Sequence, residues 1–100
     1  MVNYQQSVDF IQAHKDKLRA VIMTTLDCKA CEPIVNILNA STIPFVVVNA
    51  DSADLIYKPL VYPQTYVFSE KNICYTRCDV FDSRMFYEWL DKIEEWENTV

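Results

Sequence analysis

The chain has 100 residues, 51% hydrophobic and 13% aromatic, enough for one domain around one core and too few for two. A net charge of -5 and a pI near 4.6 set it against nucleic acid, whose binders need a basic face, and against anionic membranes. No apolar run approaches the ~18 residues of a membrane helix, and Met1-Val2-Asn3-Tyr4-Gln5-Gln6 lacks the basic start and apolar stretch of a signal peptide. The expectation is a complete, cytoplasmic chain.

From about Asn3 to Lys17, Val8 and Ile11 recur among polar residues, with Leu18 after them, which predicts a modestly amphipathic first helix. Arg19 to Thr25 is a short apolar run rich in branched side chains, the pattern of a buried strand. Leu26-Asp27-Cys28-Lys29-Ala30-Cys31 is the turn after it, and Ile34, Val35, Ile37 and Leu38 then fall at helical spacing up to about Asn39. Pro33 is compatible with that helix only in its first turn, where its missing N–H has no helical partner. The regular helix therefore starts at about Ala30 to Glu32, with a tight turn holding Cys28.

Pro44 leads into a second strand, Phe45 to Asn49, and Asp51 to Tyr57 suits a short helix capped by Asp51 or Ser52. Leu60-Val61-Tyr62-Pro63 opens onto a third strand, Gln64 to Phe68; Ser69 to Asn72 is a hairpin turn, and Ile73 to Cys78 a fourth strand. The last helix begins after Asp82 or Ser83, with Met85, Phe86, Trp89, Leu90, Ile93 and Trp96 on its apolar stripe. The stripe Phe86, Trp89, Trp96 is read as core, and Glu94-Glu95-Trp96-Glu97 as a solvated, fraying helix end. His14 is read as a surface residue. The first two strands, joined through a helix, are expected to be parallel by a right-handed crossover, and the last two antiparallel. This is an α/β chain with a mixed four-stranded sheet and helices on both faces.

Glycine is absent, where ordinary usage of ~7% predicts about seven. Asparagine best tolerates the left-handed backbone that glycine normally supplies, so Asn39 at a helix end and Asn72 in a turn are expected to take that role.

Of the four cysteines, Cys28 and Cys31 form a C-x-x-C pair between a buried strand and a helix. In a cytosolic protein this pattern points to redox chemistry or metal. Free backbone N–H groups and the positive end of the helix dipole favour a thiolate there, and two intervening residues let the sulfurs meet. Cys28, the more exposed, is assigned as nucleophile and Cys31 as the resolving thiol. Cys74 and Cys78, four apart on one strand, sit about 13 Å apart at ~3.3 Å per residue, too far for a disulfide. They are read as small buried hydrophobes.

The C-x-x-C at this junction, Pro63 at the start of Pro63-Gln64-Thr65-Tyr66-Val67-Phe68, the hairpin and the closing amphipathic helix together resemble the thioredoxin superfamily, in a compact form near glutaredoxin size. The resemblance implies a thioredoxin-like fold with sheet order 2-1-3-4, a cis Pro63 beside the active-site disulfide, and Tyr62 pairing its backbone with the substrate chain. Asp27 stands where thioredoxins usually carry tryptophan, Lys29-Ala30 replaces the common Gly-Pro, and Ile22 takes the place of the buried acid. Asp79 replaces a glycine beside the proline, and the Gly-Gly pair with which many glutaredoxins grip glutathione is missing.

Asp27 and Glu32 are expected to raise the Cys28 pKa against Lys29 and the dipole, and Asp79 to add a third carboxylate to the rim. Such a rim disfavours anionic glutathione and fits a basic protein surface. The expected function is a monomeric cytosolic thiol-disulfide oxidoreductase with Cys28 and Cys31 catalytic and Asp27, Lys29, Tyr62, Pro63 and Asp79 at the substrate. Its partners are a protein disulfide and a reductase, and no cofactor beyond its own disulfide is expected. Two rival readings are a binding module on the same scaffold without redox turnover, and zinc held by the four cysteines. Against zinc, Cys74 and Cys78 on one strand are poorly placed to chelate.

Overall fold

The computed structural model describes residues 1–25, 28–51 and 63–99. Helix α1 spans Tyr4–Ala13 and strand β1 Arg19–Thr24. A 3₁₀ turn, Lys29–Cys31, runs into α2, Glu32–Ala40, followed by β2, Phe45–Asn49. Strands β3, Gln64–Phe68, and β4, Cys74–Arg77, precede α3, Ser83–Asn98. Residues 52–57 of the expected third helix, Asp27 and Tyr62 lie outside the described residues.

The sheet order is β2-β1-β3-β4. β1 pairs parallel with β2, Val21 level with Val46, and antiparallel with β3, Val21 level with Tyr66. β3 and β4 are antiparallel, with Tyr66 level with Thr76. The α/β class, the mixed sheet and its order are as the sequence implied.

All six residues of β1 are buried, and its side chains divide the core in two. Ala20 and Ile22 face Ile34 and Leu38 of α2 and Phe86, Trp89 and Ile93 of α3. Val21 and Met23 face the other way, toward Phe10 and Ile11 of α1. Helices therefore cover both faces of the sheet.

Local chemistry sets the ends. Asn3 caps α1 by accepting from the Gln6 N–H at 2.8 Å, while the Gln6 side chain accepts from the Asn3 N–H at 2.9 Å. Asp82 caps α3 through the Met85 N–H at 2.8 Å. α1 stops at Ala13, short of Lys17, because the chain turns left-handed at Asp16, φ 65°. Asn72, φ 64°, is the other left-handed residue among those described, as expected, whereas Asn39 stays inside α2. Asp16 and Asn72 bond each other: the Asp16 N–H donates to Asn72 Oδ1 at 3.0 Å, and Asn72 Nδ2 donates to Asp16 Oδ1 at 2.7 Å.

Three further expectations are corrected. Trp96 is 46% exposed and stacks on Tyr75, whereas Glu97 is buried. The carboxylate of Glu97 accepts from the Tyr75 hydroxyl at 3.0 Å, and its carbonyl accepts from Lys71 Nζ, so α3 holds its helical form to Asn98. Cys74 and Cys78 are exposed free thiols rather than buried ones, because β4 edges the sheet and Cys78 lies just past its end, β4 stopping at Arg77.

Candidate functional site

The site grows out of the carboxyl end of β1. Thr24, the last strand residue, is level with Asn49 of β2. Three residues on from Thr25, Cys28 donates its N–H to the Thr25 carbonyl at 3.2 Å. Cys31 donates to the Cys28 carbonyl at 3.3 Å, which winds the motif as a single 3₁₀ turn ahead of α2. That tight turn brings the two Cα atoms to 5.4 Å, and the sulfurs are joined in a Cys28–Cys31 disulfide.

The two cysteines differ in access. Cys31 is 3% exposed, packed at the foot of α2, while Cys28 is half-buried at the surface. Neither Cys28, at the N-cap of the 3₁₀ turn, nor Cys31, at that of α2, makes a side-chain capping bond. Pro33 is the second residue of α2, where its missing N–H costs no helical bond. Lys29 and Glu32 are exposed on the same turn.

A shallow cleft of about 420 Å³ lies against the disulfide, lined by Thr24, Thr25, Glu32, Val35 and Asn36 beside Cys28 and Cys31. On the other flank of α2, a more open groove of about 630 Å³ runs between Pro33 and Ile37 on one side and the loop residues Val80 and Phe81 with Met85 of α3 on the other. Val80 is 53% exposed there, an apolar side chain between Asp79 and Phe81 that the sequence pattern did not single out.

Pro63 is fully buried and immediately precedes β3. Continuing the β1–β3 register one step beyond Met23↔Gln64 sets Pro63 level with Thr24. Continuing the β3–β4 register beyond Thr65↔Arg77 brings Asp79 to that same end of the sheet. The peptide bond into Pro63 involves Tyr62 and so lies outside the described residues. Ile22, where the resemblance puts a buried acid, is fully buried, and its register partner Thr65 is buried with its hydroxyl oxygen unpartnered among the described residues.

Asp79 is exposed and paired with Arg77, whose Nε and Nη2 each donate to one carboxylate oxygen. That hydrogen bonding holds the Asp79 carboxyl below its usual range against the opposing effect of burial, with the positive charge of Arg77 adding a lesser push in the same direction. Arg77 is itself seated over the rings of Phe81, at 5.0 Å, and Trp89, at 5.7 Å. The pairing was not foreseen, although the spacing Arg77-x-Asp79 past a strand end could have suggested it. With its charge matched by Arg77, Asp79 adds little to an acidic rim, and among the described residues the free carboxylate beside the disulfide is that of Glu32.

No family model matches the chain, and no curated protein matches it at a significant level. Among the described residues no helix is long and apolar enough to cross a membrane, and no cluster of three or more metal-ligating side chains is present.

Proposed function

We propose that this chain is a thioredoxin-like thiol-disulfide oxidoreductase, a cytoplasmic dithiol reductant that passes electrons to protein disulfides through Cys28 and Cys31. The observation that carries the reading is the unequal exposure of two bonded cysteines at a strand-to-helix junction, one half-buried and one closed off. Dithiol exchange needs that asymmetry. In the reduced form the Cys28 thiolate, favoured by the uncapped helix end, attacks one sulfur of the substrate disulfide. A mixed disulfide forms and one substrate thiolate leaves, taking up a proton. The Cys31 thiolate then attacks the Cys28 sulfur and displaces the second substrate thiol, so two electrons have passed and the Cys28–Cys31 bond is restored. A reductase recharges it.

Pro63 and Tyr62 are proposed to receive the substrate backbone, Asp27, Lys29 and Asp79 to border it, and the apolar groove at Val80 and Met85 to suit a protein more than glutathione. The test is the reduction potential of the pair, by equilibration in thiol buffers and alkylation mass spectrometry. A value near the ~-270 mV of thioredoxin is expected. In parallel, Cys31→Ser should accumulate a mixed disulfide at Cys28 with an oxidised protein substrate, and Cys28→Ser should not. A pair that exchanges with no thiol buffer would overturn the reading in favour of a docking module.

A further inference from the structure

β4 ends the sheet, and among the described residues no strand pairs with its outer edge. The hairpin ladder decides what that edge offers. Ser69 donates its N–H to the Ile73 carbonyl at 3.0 Å, which makes these two a hydrogen-bonded pair. Stepping by two along the register, Tyr75 and Arg77 also turn their backbone groups toward β3. Cys74 and Thr76 therefore turn theirs outward, and Cys78 is the residue just past the end of β4. The side chains of all three are exposed. Tyr75 and Arg77 lie on the opposite face, against Glu97 and Trp89 of α3.

This edge is complementary to itself. A two-fold axis through Thr76 lays β4 antiparallel on β4 of a second copy, sets the two Thr76 residues against each other, and sets Cys74 of each copy against Cys78 of the other. In this register Thr76 meets Thr76, and the outward-facing Cys74 meets the residue that follows β4. It also places Tyr75 across from Arg77 and Ile73 across from Asp79, so no like charges oppose. Opposed Cα atoms in a hydrogen-bonded pair lie ~5.5 Å apart, inside the 4.4 to 6.8 Å range that a disulfide spans. Within one copy the same thiols are about 13 Å apart.

We propose that β4 is a self-association edge at which a second copy of this chain pairs antiparallel about Thr76, where oxidation by a small-molecule disulfide links Cys74 of one copy to Cys78 of the other. So short an edge associates weakly by itself, and the bridges make the dimer durable. With glutathione disulfide as oxidant, the Cys78 thiolate breaks its S–S bond, forming a mixed disulfide and releasing one glutathione thiolate. The Cys74 thiolate of the second copy then attacks the Cys78 sulfur, and the second glutathione leaves. Two protein thiols become one disulfide, and two glutathione thiols carry away the electrons and protons. Partial burial pushes the Cys74 thiol up, against the opposing charge of Arg19, and the electrons balance in the same way if the two thiols act in the reverse order.

The test uses the full chain incubated with glutathione disulfide, quenched with N-ethylmaleimide and run on a non-reducing gel. Trypsin cuts after Lys71, Arg77 and Arg84, leaving Cys74 and Cys78 in separate peptides, 72–77 and 78–84. In the dimer band, the peptide joining Cys74 to Cys78 should exceed each like-to-like link by about tenfold, as preorganised pairing raises the local thiol concentration. Links at their statistical shares, or no dimer, overturn the proposal. Cys74→Ser and Cys78→Ser should each fail to dimerise alone, and a mixture of the two should regain it. A mixture no better than either variant overturns the proposal too. Thr76→Pro removes an N–H that faces away from β3. With an unchanged circular dichroism spectrum it should abolish the link; undiminished linkage overturns the pairing. If that variant does not fold, the serine mixture decides.

Discussion

Reducing the Cys28–Cys31 bond should destabilise the fold by a small and calculable amount. The bond joins residues three apart in sequence, so it closes a four-residue loop. Loop-closure entropy for so short a loop is about 2 kcal/mol at 25 °C. The reduced chain should therefore melt roughly 8 to 15 °C below the oxidised one, at 4 to 8 °C per kcal/mol for a domain of this size. The same free energy must appear in the redox equilibrium, because folding and reduction form a closed cycle. At 30 mV per 1.4 kcal/mol, the folded pair should be about 40 mV more reducing than the same pair in the unfolded chain. The assay is thermal unfolding by circular dichroism with and without a phosphine reductant, using the Cys28→Ser/Cys31→Ser chain as control, beside potentials measured in buffer and in denaturant. A reduced form as stable as the oxidised form, or more stable, would refute the reasoning. It would mean that the uncapped helix end stabilises the thiolate by more than loop closure contributes, as in an oxidant.

Two further outcomes concern the frame that holds the site. Glu97 has its pKa lowered from the ordinary 4.5, chiefly by the hydrogen bond from Ser69, with burial opposing and Tyr75 and Lys71 assisting. A depressed carboxyl stabilises the fold above its unfolded pKa and loses that contribution as pH falls through its folded pKa. Denaturant melts should therefore show the gap between wild type and Glu97→Gln closing as pH falls through and below the ordinary carboxylate range; a gap independent of pH would exclude the Glu97 carboxylate as its source. Phe86, fully buried between α3 and the sheet, should cost about 3 to 5 kcal/mol when cut to alanine, read as a shifted urea midpoint with an unchanged slope.

The sequence made the sheet legible because its signals agree across levels. The branched run of β1, the parallel crossover and the hairpin each permit one arrangement, and the C-x-x-C falls where β1 must end. The errors come where one residue's character competes with its place on a helix. After Ile93, a step of three reaches Trp96 and a step of four reaches Glu97. Hydrophobicity favours the tryptophan, but the inward position at this end faces the Tyr75 hydroxyl and Ser69, which accept a carboxylate and leave Trp96 to lie on the Tyr75 ring. The exposure of Cys74 and Cys78 was hidden for another reason: alternation along a strand marks two faces, and only the whole sheet tells which face is left open. Asp16 was missed because Lys15-Asp16-Lys17 reads as the polar continuation of α1, while its left-handed turn is secured by Asn72, 56 residues away.

That distant bond has a consequence for how this chain evolves. A left-handed backbone costs an ordinary residue about 1 to 2 kcal/mol, and here two hydrogen bonds between the two strained residues offset part of that cost at both turns together. The two sites are therefore energetically coupled. Glycine arriving at either one relaxes its own turn but strands the other, so selection should accept such a change where both positions move in the same lineage. In descendants of this sequence, positions 16 and 72 should covary, and a glycine at one should mark a lineage in which the other has also ceased to be polar.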